Sequence, residues 1–577
     1  MKTFLLNIVL FVVVVLFPCV GRAQVYEGHW SEAFEFEQRF HPDILLPTTS
    51  RSTFDQLPGF PIGRNASAIS KSIRNVTLLD VNDDGLEDIL FVADNLLIAQ
   101  AHDQTLWTRN LGSLATYPPS VGDLNGDGLD EIVQITFGVP GNGSLLVLDK
   151  TGAIQADFPI NYGGPLVGAP ALVDLDNDGS LEILFGQIEG SAGLLHVVRA
   201  DGSPFSAAFP LVLNARPAVT PTAADVDEDG ELEIVMFTTT SRYLLELDGT
   251  PLPNFPQVTD PLQRYSFNSP LLVDLDQDDD LEIVGVTNGE APYFFAMHHD
   301  GNFVDGWPQS TPNQAWSYNT PTVLTTPEAT SILMSGRNGI APGEVLFNWN
   351  GDGILQPGFP AQQRGGCEGY LAAADINDDG VAEYITTSTL LDTLGFGFIH
   401  AYDAQGDELN GFPLRPRGWT MLNGASFTDL NGDGVLDMIV QSYSVNFGSA
   451  QDSIFIHAYQ LPVPHRPERI LWNTYRGTNR RNGQVDQMMV ATMPQRANRS
   501  NLTLYPNPAT HTVHLETTIQ SEAVNVAIVD LHGRLWNEAS LNGSRAVTVT
   551  DLPNGIYFIH LYIDERLIAR QRLVILR

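Results

Sequence analysis

Cysteine is nearly absent from this chain: Cys19 and Cys367 are the two present among 577 residues. Cys19 falls in an apolar leader, so the remainder holds one thiol, and an intrachain disulfide framework is excluded as a source of stability. Positive charge is also scarce, with 30 Lys plus Arg against 68 Asp plus Glu and a net charge of −38. Phosphate contacts need clustered cations, so the composition excludes nucleic acid as a partner. No apolar run long enough to span a membrane follows the leader, and no segment holds a sustained helical period. Familiar catalytic signatures are missing too: there is no Gly-x-Ser-x-Gly elbow, no His-Glu-x-x-His and no phosphate-binding glycine loop.

The leader reads Met1-Lys2-Thr3, an apolar run from Phe4 to Phe17, then Pro18-Cys19-Val20-Gly21-Arg22-Ala23. A basic start, a short apolar core and a small-x-small end predict a secretory signal over 1–23, with Gln24 as the new terminus. A membrane anchor is the alternative, opposed by a run shorter than the ~20 residues that span a bilayer. Lipidation at Cys19 is another, opposed by the Phe17-Pro18 lead-in.

The dominant feature is one acidic phrase that returns about every 50 residues, the spacing of a repeat architecture. It reads DVNDDGLED from Asp80, DLNGDGLDE from Asp123, DLDNDGSLE from Asp174, DVDEDGELE from Asp225, DLDQDDDLE from Asp274, DINDDGVAE from Asp375 and DLNGDGVLD from Asp429. The interval between the fifth and sixth copies is double, which predicts a degenerate copy near Thr320-Pro321-Thr322-Val323-Leu324, without carboxylates and without metal. Aromatic-proline pairs recur in phase, at Phe60-Pro61, Phe158-Pro159, Phe209-Pro210, Phe255-Pro256, Trp307-Pro308, Phe359-Pro360 and Phe412-Pro413. Between these marks lie short runs of Val, Ile, Leu and Phe bounded by turn residues, which read as strands.

Each unit therefore reads as a sheet of about four strands, and such sheets repeated predict an all-β β-propeller. Eight blades are favoured, and seven remain open if the short interval from Asp80 to Asp123 does not enclose a full blade. A segment from about Ser52 to Arg64 is expected to close the ring by joining the last unit, since closure removes free edges.

In the phrase, positions 1, 3 and 5 are Asp or Asn, position 6 is Gly in six of seven copies and position 9 is Asp or Glu. Alternate oxygens around a tight turn are what Ca2+ takes, with six to eight ligands, and glycine permits the bend. Magnesium is disfavoured because the loop offers many flexible oxygens. Twenty-four carboxylates occupy these positions, so metal loading accounts for much of the acidic balance. The alternative is a set of solvated turns without ions. The fifth copy departs from the pattern with Asp279 at position 6.

Phrase, period and following apolar strand resemble the FG-GAP or VCBS repeat of integrin α-subunit propellers and bacterial surface proteins, over roughly residues 60–480. That resemblance implies a structural calcium in each loop, up to seven in all. Its ligands would be Asp80, Asn82, Asp84 and Asp88; Asp123, Asn125, Asp127 and Glu131; Asp174, Asp176, Asp178 and Glu182; and Asp225, Asp227, Asp229 and Glu233. They continue with Asp274, Asp276, Asp278 and Glu282; Asp375, Asn377, Asp379 and Glu383; and Asn431, Asp429, Asp433 and Asp437.

Past residue 484 the repeat stops, and 485–501 reads as a linker. The remainder alternates apolar runs with turns and predicts a small β-sandwich over 502–577. Tyr505-Pro506-Asn507-Pro508-Ala509, Asp530-Leu531-His532-Gly533-Arg534 and Leu552-Pro553-Asn554-Gly555-Ile556-Tyr557 resemble the type A sorting domain of the type IX secretion system. The resemblance implies handling by that machinery, and a secreted or outer-surface location.

The expected organisation is a signal at 1–23, a segment at 24–59 that partly closes the propeller, the propeller at 60–484, the linker and the sorting domain. The chain is read as a monomer. Cys367 reads as a bystander thiol, with a nucleophile as the alternative. His400 and His457 occupy matching phrases, which argues for packing. Trp472-Asn473-Thr474-Tyr475-Arg476-Gly477, with Arg480 and Arg481, reads as a segment that packs against the ring, a ligand patch being the alternative. The leading function is an interaction or adhesion module for protein or glycan. The alternative is a polysaccharide-active, lyase-like enzyme, which rests on fold analogy.

Overall fold

The computed structural model describes residues 22–30, 36–47, 54–66, 72–138, 142–276, 278, 280–311, 318–326, 329–336, 341–444, 452–485, 503–516, 524–530, 535–541, 546–550, 552–563 and 566–576. The expected signal up to residue 21, most of the linker and residues 531–534 of the second sorting motif lie outside the described residues. Those up to 485 form one compact unit, and those from 503 form another. Among the described residues no helix is long and apolar enough to cross a membrane.

The first unit holds eight four-stranded antiparallel sheets, taken in chain order. The first is Thr77–Leu79, Asp88–Ala93, Leu96–Gln100 and Thr105–Asn110, so the short interval between the first two acidic copies does enclose a full sheet. The next four begin at Ser120–Gly122, Leu166–Val173, Thr222–Ala224 and Leu271–Val273. The sixth, Thr322–Thr326, Ala329–Ser335, Pro342–Trp349 and Ala361–Arg364, occupies the double interval, and its first hairpin is closed by Thr326 opposite Ala329 with no room for an acidic loop. The degenerate copy is thus a complete sheet that has lost only its loop.

The aromatic-proline pairs mark the entry to the outermost strands: Ile160–Asn161 follows Pro159, Leu211–Leu213 follows Pro210 and Ala361–Arg364 follows Pro360. Proline lacks an N–H to donate, so the first residue of an edge strand is where a sheet tolerates it. Inner and middle strands are buried on both faces, as at Glu131–Ile135 and Ser144–Leu148. This is why their sequences read as continuous apolar runs instead of alternating ones. Val133, Val147, Leu172 and Ile183 join the second and third sheets in one core, while Leu78, Phe91, Ile439 and Ile456 join the first to the eighth.

The eighth sheet is completed from the other end of the chain. Ile62–Ala66 pairs antiparallel with Asp452–Pro464, Ile62 opposite Ile456 and Ala66 opposite Asp452. Further upstream, Arg22–Trp30 forms a hairpin with Phe36–Pro47 and adds to Leu390–Asp392, with Val25 buried against Leu390 and Phe398. The seventh sheet takes its inner strand, Ile470–Trp472, from beyond the last repeat.

The second unit contains two sheets. One is Thr503–Tyr505, Thr512–Glu516 and Ala546–Thr548, and the other Leu535–Leu541, Val524–Asp530, Gly555–Ile563 and Arg566–Ile575. Its core includes Leu504, Val513, Ile528, Tyr557 and Ile575. The first sorting motif is tied to the last strand, where Asn507 Oδ1 accepts from Val574 N at 2.8 Å and Ala509 N donates to Val574 O at 2.8 Å.

Candidate metal centres

All seven acidic phrases occupy one place, the loop between the first and second strands of a sheet. The residue before each phrase pairs with its ninth position: Leu79 with Asp88, Gly122 with Glu131, Val173 with Glu182, Ala224 with Glu233, Val273 with Glu282, Ala374 with Glu383 and Thr428 with Asp437. The ladder thus fixes the ninth carboxylate at the mouth of each loop.

Inside the loops the same bonds recur. In the first, Asp84 N and Gly85 N donate to Asp80 at 3.1 and 2.9 Å, Leu86 N to Asp84 at 2.9 Å and Val81 N to Asp88 at 3.1 Å. The seventh repeats them, with Asp433 N and Gly434 N on Asp429, Val435 N on Asp433 and Leu430 N on Asp437. Positions 1, 5 and 9 each take backbone N–H groups; position 1 accepts on both oxygens, Asp80 Oδ1 from Asp84 and Oδ2 from Gly85, whereas position 9 accepts through one, as Asp437 does through Oδ2. In the third and fourth loops the oxygens of Asp174, Asp176 and Glu182, and of Asp225, Asp227 and Asp229, converge within 4.8 Å of one another. The fifth brings together Asp274, Asp276 and Asp278 in the same way, and residues 277 and 279, where the sequence departs from the repeat, lie outside the described residues.

The ninth carboxylates are the electrostatic anomaly. Glu233 and Asp437 are 1% and 0% exposed, yet Glu233 Oε1 and Asp437 Oδ1 have no hydrogen-bond partner. Burial, reinforced by the neighbouring aspartates, pushes Asp88 up to about 6, Glu182 and Asp437 to about 7 and Glu233 to about 8. Glu383 is raised to about 9 by the same causes, and Glu131 and Glu282 are raised as well. A buried carboxylate with an idle oxygen costs free energy unless a cation meets it. The donor set, all oxygen at positions 1, 3, 5 and 9 of the phrase, fits a hard divalent cation.

Three loops, among those described, are met by a Lys or Arg: Lys150 reaches Asp83 of the first at 2.8 Å, Arg199 reaches Asp176 at 3.1 Å and Glu182 at 3.4 Å in the third, and Arg469 contacts Asp375 and Asp378 of the sixth.

The other singled-out residues are packing groups. Cys367 is fully buried, with its thiol pushed up by burial. His457 is buried and bonded to Ser442, and His400 is held by Glu408 at 2.7 Å. The Trp472 phrase belongs to a segment, 470–485, that lines the inner strands of seven sheets in turn. Asn473 Nδ2 donates to Phe427 O, Asn479 Nδ2 to Leu78 O, Val121 N to Asn479 O, Leu172 N to Arg480 O and Leu272 N to Gly483 O. Thr222 bonds Asn482, and Trp472 pairs with Ala373. Sequence patterning identified that this phrase packs, but its reach around the sheets has no periodic signature.

The fold and sites define an exported all-β repeat protein built of propeller-like four-stranded sheets with acidic loops. Residues 503–576 match the secretion system C-terminal sorting domain family, so the protein is handled by the type IX system and goes to the cell surface or is secreted. No curated protein matches the chain in sequence. Among solved structures, the V. cholerae biofilm matrix protein Bap1 is similar at 16% identity and a TM-score of 0.48, over 76% of this chain and 95% of that one. Rhamnogalacturonan lyase YesW is similar at 15% identity and 0.41, over 79% of each chain. The WD40 domain of Toxoplasma gondii coronin is similar at 11% and 0.31, over 59% of this chain and 80% of that one. These likenesses concern the β-rich fold and bring no function with them.

Proposed function

We propose that this protein is a closed eight-bladed propeller of the FG-GAP or VCBS kind, held by structural calcium and exported to bind a protein or glycan at the cell surface. The propeller takes residues 60–484 and the sorting domain 502–577, with the signal removed after residue 23. The observation that carries the metal reading is the buried, unpartnered oxygen of Glu233 and Asp437 at the mouth of an oxygen-rich loop. Calcium would be held by positions 1, 3, 5 and 9 of each loop and would supply charge neutralisation without chemistry.

Ring closure is supported by the shared core of the first and eighth sheets, by the Ile62–Ala66 strand and by segment 470–485. That segment meets the seventh, eighth, first, second, third, fourth and fifth sheets in this order, as a path around one axis would. Contacts between other neighbouring sheets support the same reading, with Trp307 against Trp349, Phe359 against Tyr384 and Tyr370 Oη donating to Ala425 O.

A binding role is favoured over lyase chemistry because the axial cations are already committed. Arg74, Arg476 and Arg481 are 0% exposed, and the first two donate to main-chain carbonyls of Tyr318, Phe267, Pro221 and Pro270. Thermal unfolding of the full chain in millimolar calcium and in excess chelator tests the metal reading. A large calcium-dependent rise in Tm is expected, and an unchanged Tm would sink the calcium sites while leaving the fold standing.

A further inference from the structure

The acidic loops share one register but face different neighbours. The residue of the third strand's side that lies across from the ninth loop position is Ala101, Asp149, Arg199, Glu246, Asp403 and Gln460 in six sheets, one step past the pairs such as Ile183 with Val198 and Ile234 with Leu245. In the fifth sheet, where Ile283 pairs with Met297, it is His298. Here alone, among the described loops, the facing residue offers an imidazole nitrogen.

The imidazole is drawn into the loop. His298 Nδ1 lies 3.1 Å from Glu282 Oε1, with the two side chains 26% and 0% exposed. A nitrogen of His298 and oxygens of Asp276 and Glu282 all fall within 4.8 Å of one another. The next residue does likewise, His299 Nδ1 standing 3.0 Å from Asp280 Oδ2. The fifth phrase also has Asp279 in place of the glycine found at position 6 of the other six.

The geometry points to the fifth loop as a mixed nitrogen and oxygen site for a first-row transition-metal dication of the zinc class, ligated by His298, Asp276 and Glu282. The inference rests on the reading of these loops as cation sites, and assigns this one to a different ion.

Calcium is a hard ion that takes six to eight oxygens and makes little use of imidazole, whereas zinc takes histidine nitrogen and carboxylate oxygen in sets of about four. Ligands about 2.0–2.1 Å from a tetrahedral ion stand roughly 3.3 Å apart, close to the separation of His298 Nδ1 and Glu282 Oε1. The order of affinities along the first row favours such a donor set for zinc, cobalt or nickel over manganese, and selects against calcium by softness.

Cobalt(II) is the probe, since its visible absorption reports coordination number and nitrogen ligation. The full chain, held in millimolar calcium so that the oxygen loops are filled, is titrated with cobalt and then with zinc. One equivalent of cobalt should bind with a visible band, be displaced by zinc and resist calcium. His298→Ala should weaken that equivalent by roughly 100-fold, the scale of losing a site-defining group. Asp276→Asn, at an exposed position, should do the same if the first variant misfolds. In both variants the calcium-dependent rise in Tm should persist. Equal cobalt affinity in His298→Ala and the parent, or loss of cobalt to calcium, overturns the assignment. A missing calcium shift with the cobalt equivalent intact would instead refute the calcium reading alone.

Discussion

The fourth residue of each loop is as constrained as the sixth, though it lends no ligand. Asp83, Asn177, Glu228 and Asp378 have φ of 58°, 55°, 58° and 59°, and Gly126 and Gly432 take 73° and 72° at the same place. Left-handed backbone favours Gly, Asn and Asp, and the sequence obeys this at every described copy but one. Glu228 is the exception, so Glu228→Asn should raise stability by about 0.5–1 kcal/mol, read as a higher Tm in calcium. The ninth residue governs pH dependence. Asp88, Glu182, Glu233 and Asp437 rise to about 6, 7, 8 and 7 in the fold from ordinary values near 4, so between pH 4 and 8 the folded chain holds protons that the unfolded chain has released. The stability of metal-free protein therefore falls as pH rises through that window. Calcium needs the ionised carboxylates, so its stabilising effect grows over the same range. Melting with and without chelator at pH 5 and pH 8 checks both signs: the chelator penalty should be much larger at pH 8.

Hairpins and the inner segment set the scale above. Eight phrase residues between a paired residue and position 9 make one kind of hairpin, so the spacing alone located the acidic loops, and the aromatic-proline marks located the outer strands. Segment 470–485 instead depends on tertiary bonds. Arg476 donates to the carbonyls of Pro221, Arg481 and Pro270 at 2.6, 2.8 and 3.0 Å, and desolvation lowers its guanidinium to about 10, still charged at neutral pH. Arg476→Ala would leave those buried carbonyls without a donor. At roughly 1–3 kcal/mol for each of the three orphaned groups, the loss should be about 3–9 kcal/mol, measurable by denaturant unfolding in calcium. That the segment packs was legible beforehand, but its path was not: Ile470–Trp472 is too short to show a strand period, and its partner Ala372–Ala374 lies almost a hundred residues away. The same limit applied to the sites. Their own four side chains could be read from the phrase, but the residue across from position 9 comes from a third strand whose register follows from hairpin length, so Arg199 and His298 carried no recognisable signal.

At the scale of the molecule, the net charge of −38 becomes a statement about where the protein can be stable. Extracellular calcium modules bind at about 10⁻⁴–10⁻³ M, so cytosolic calcium leaves such loops empty and millimolar external calcium fills them. Each filled site adds RT ln(1 + [Ca]/Kd), about 1.4 kcal/mol at ten times Kd, and several such increments rival the whole stability of an ordinary domain. On the proposed calcium reading, export and metal loading would be coupled: the first unit would reach its stable form only on the side of the membrane to which the sorting domain directs it. The sorting family match covers 503–576, separate from every acidic loop, so delivery and calcium-dependent stability should be separable by truncation. A chain ending at residue 502 should keep its calcium-dependent Tm yet remain inside the outer membrane, where fractionation and immunoblotting of the producing cells would find it. Full-length protein should appear at the surface or in the medium. Appearance of the truncated chain outside the cell would mean that a second export signal lies within the propeller.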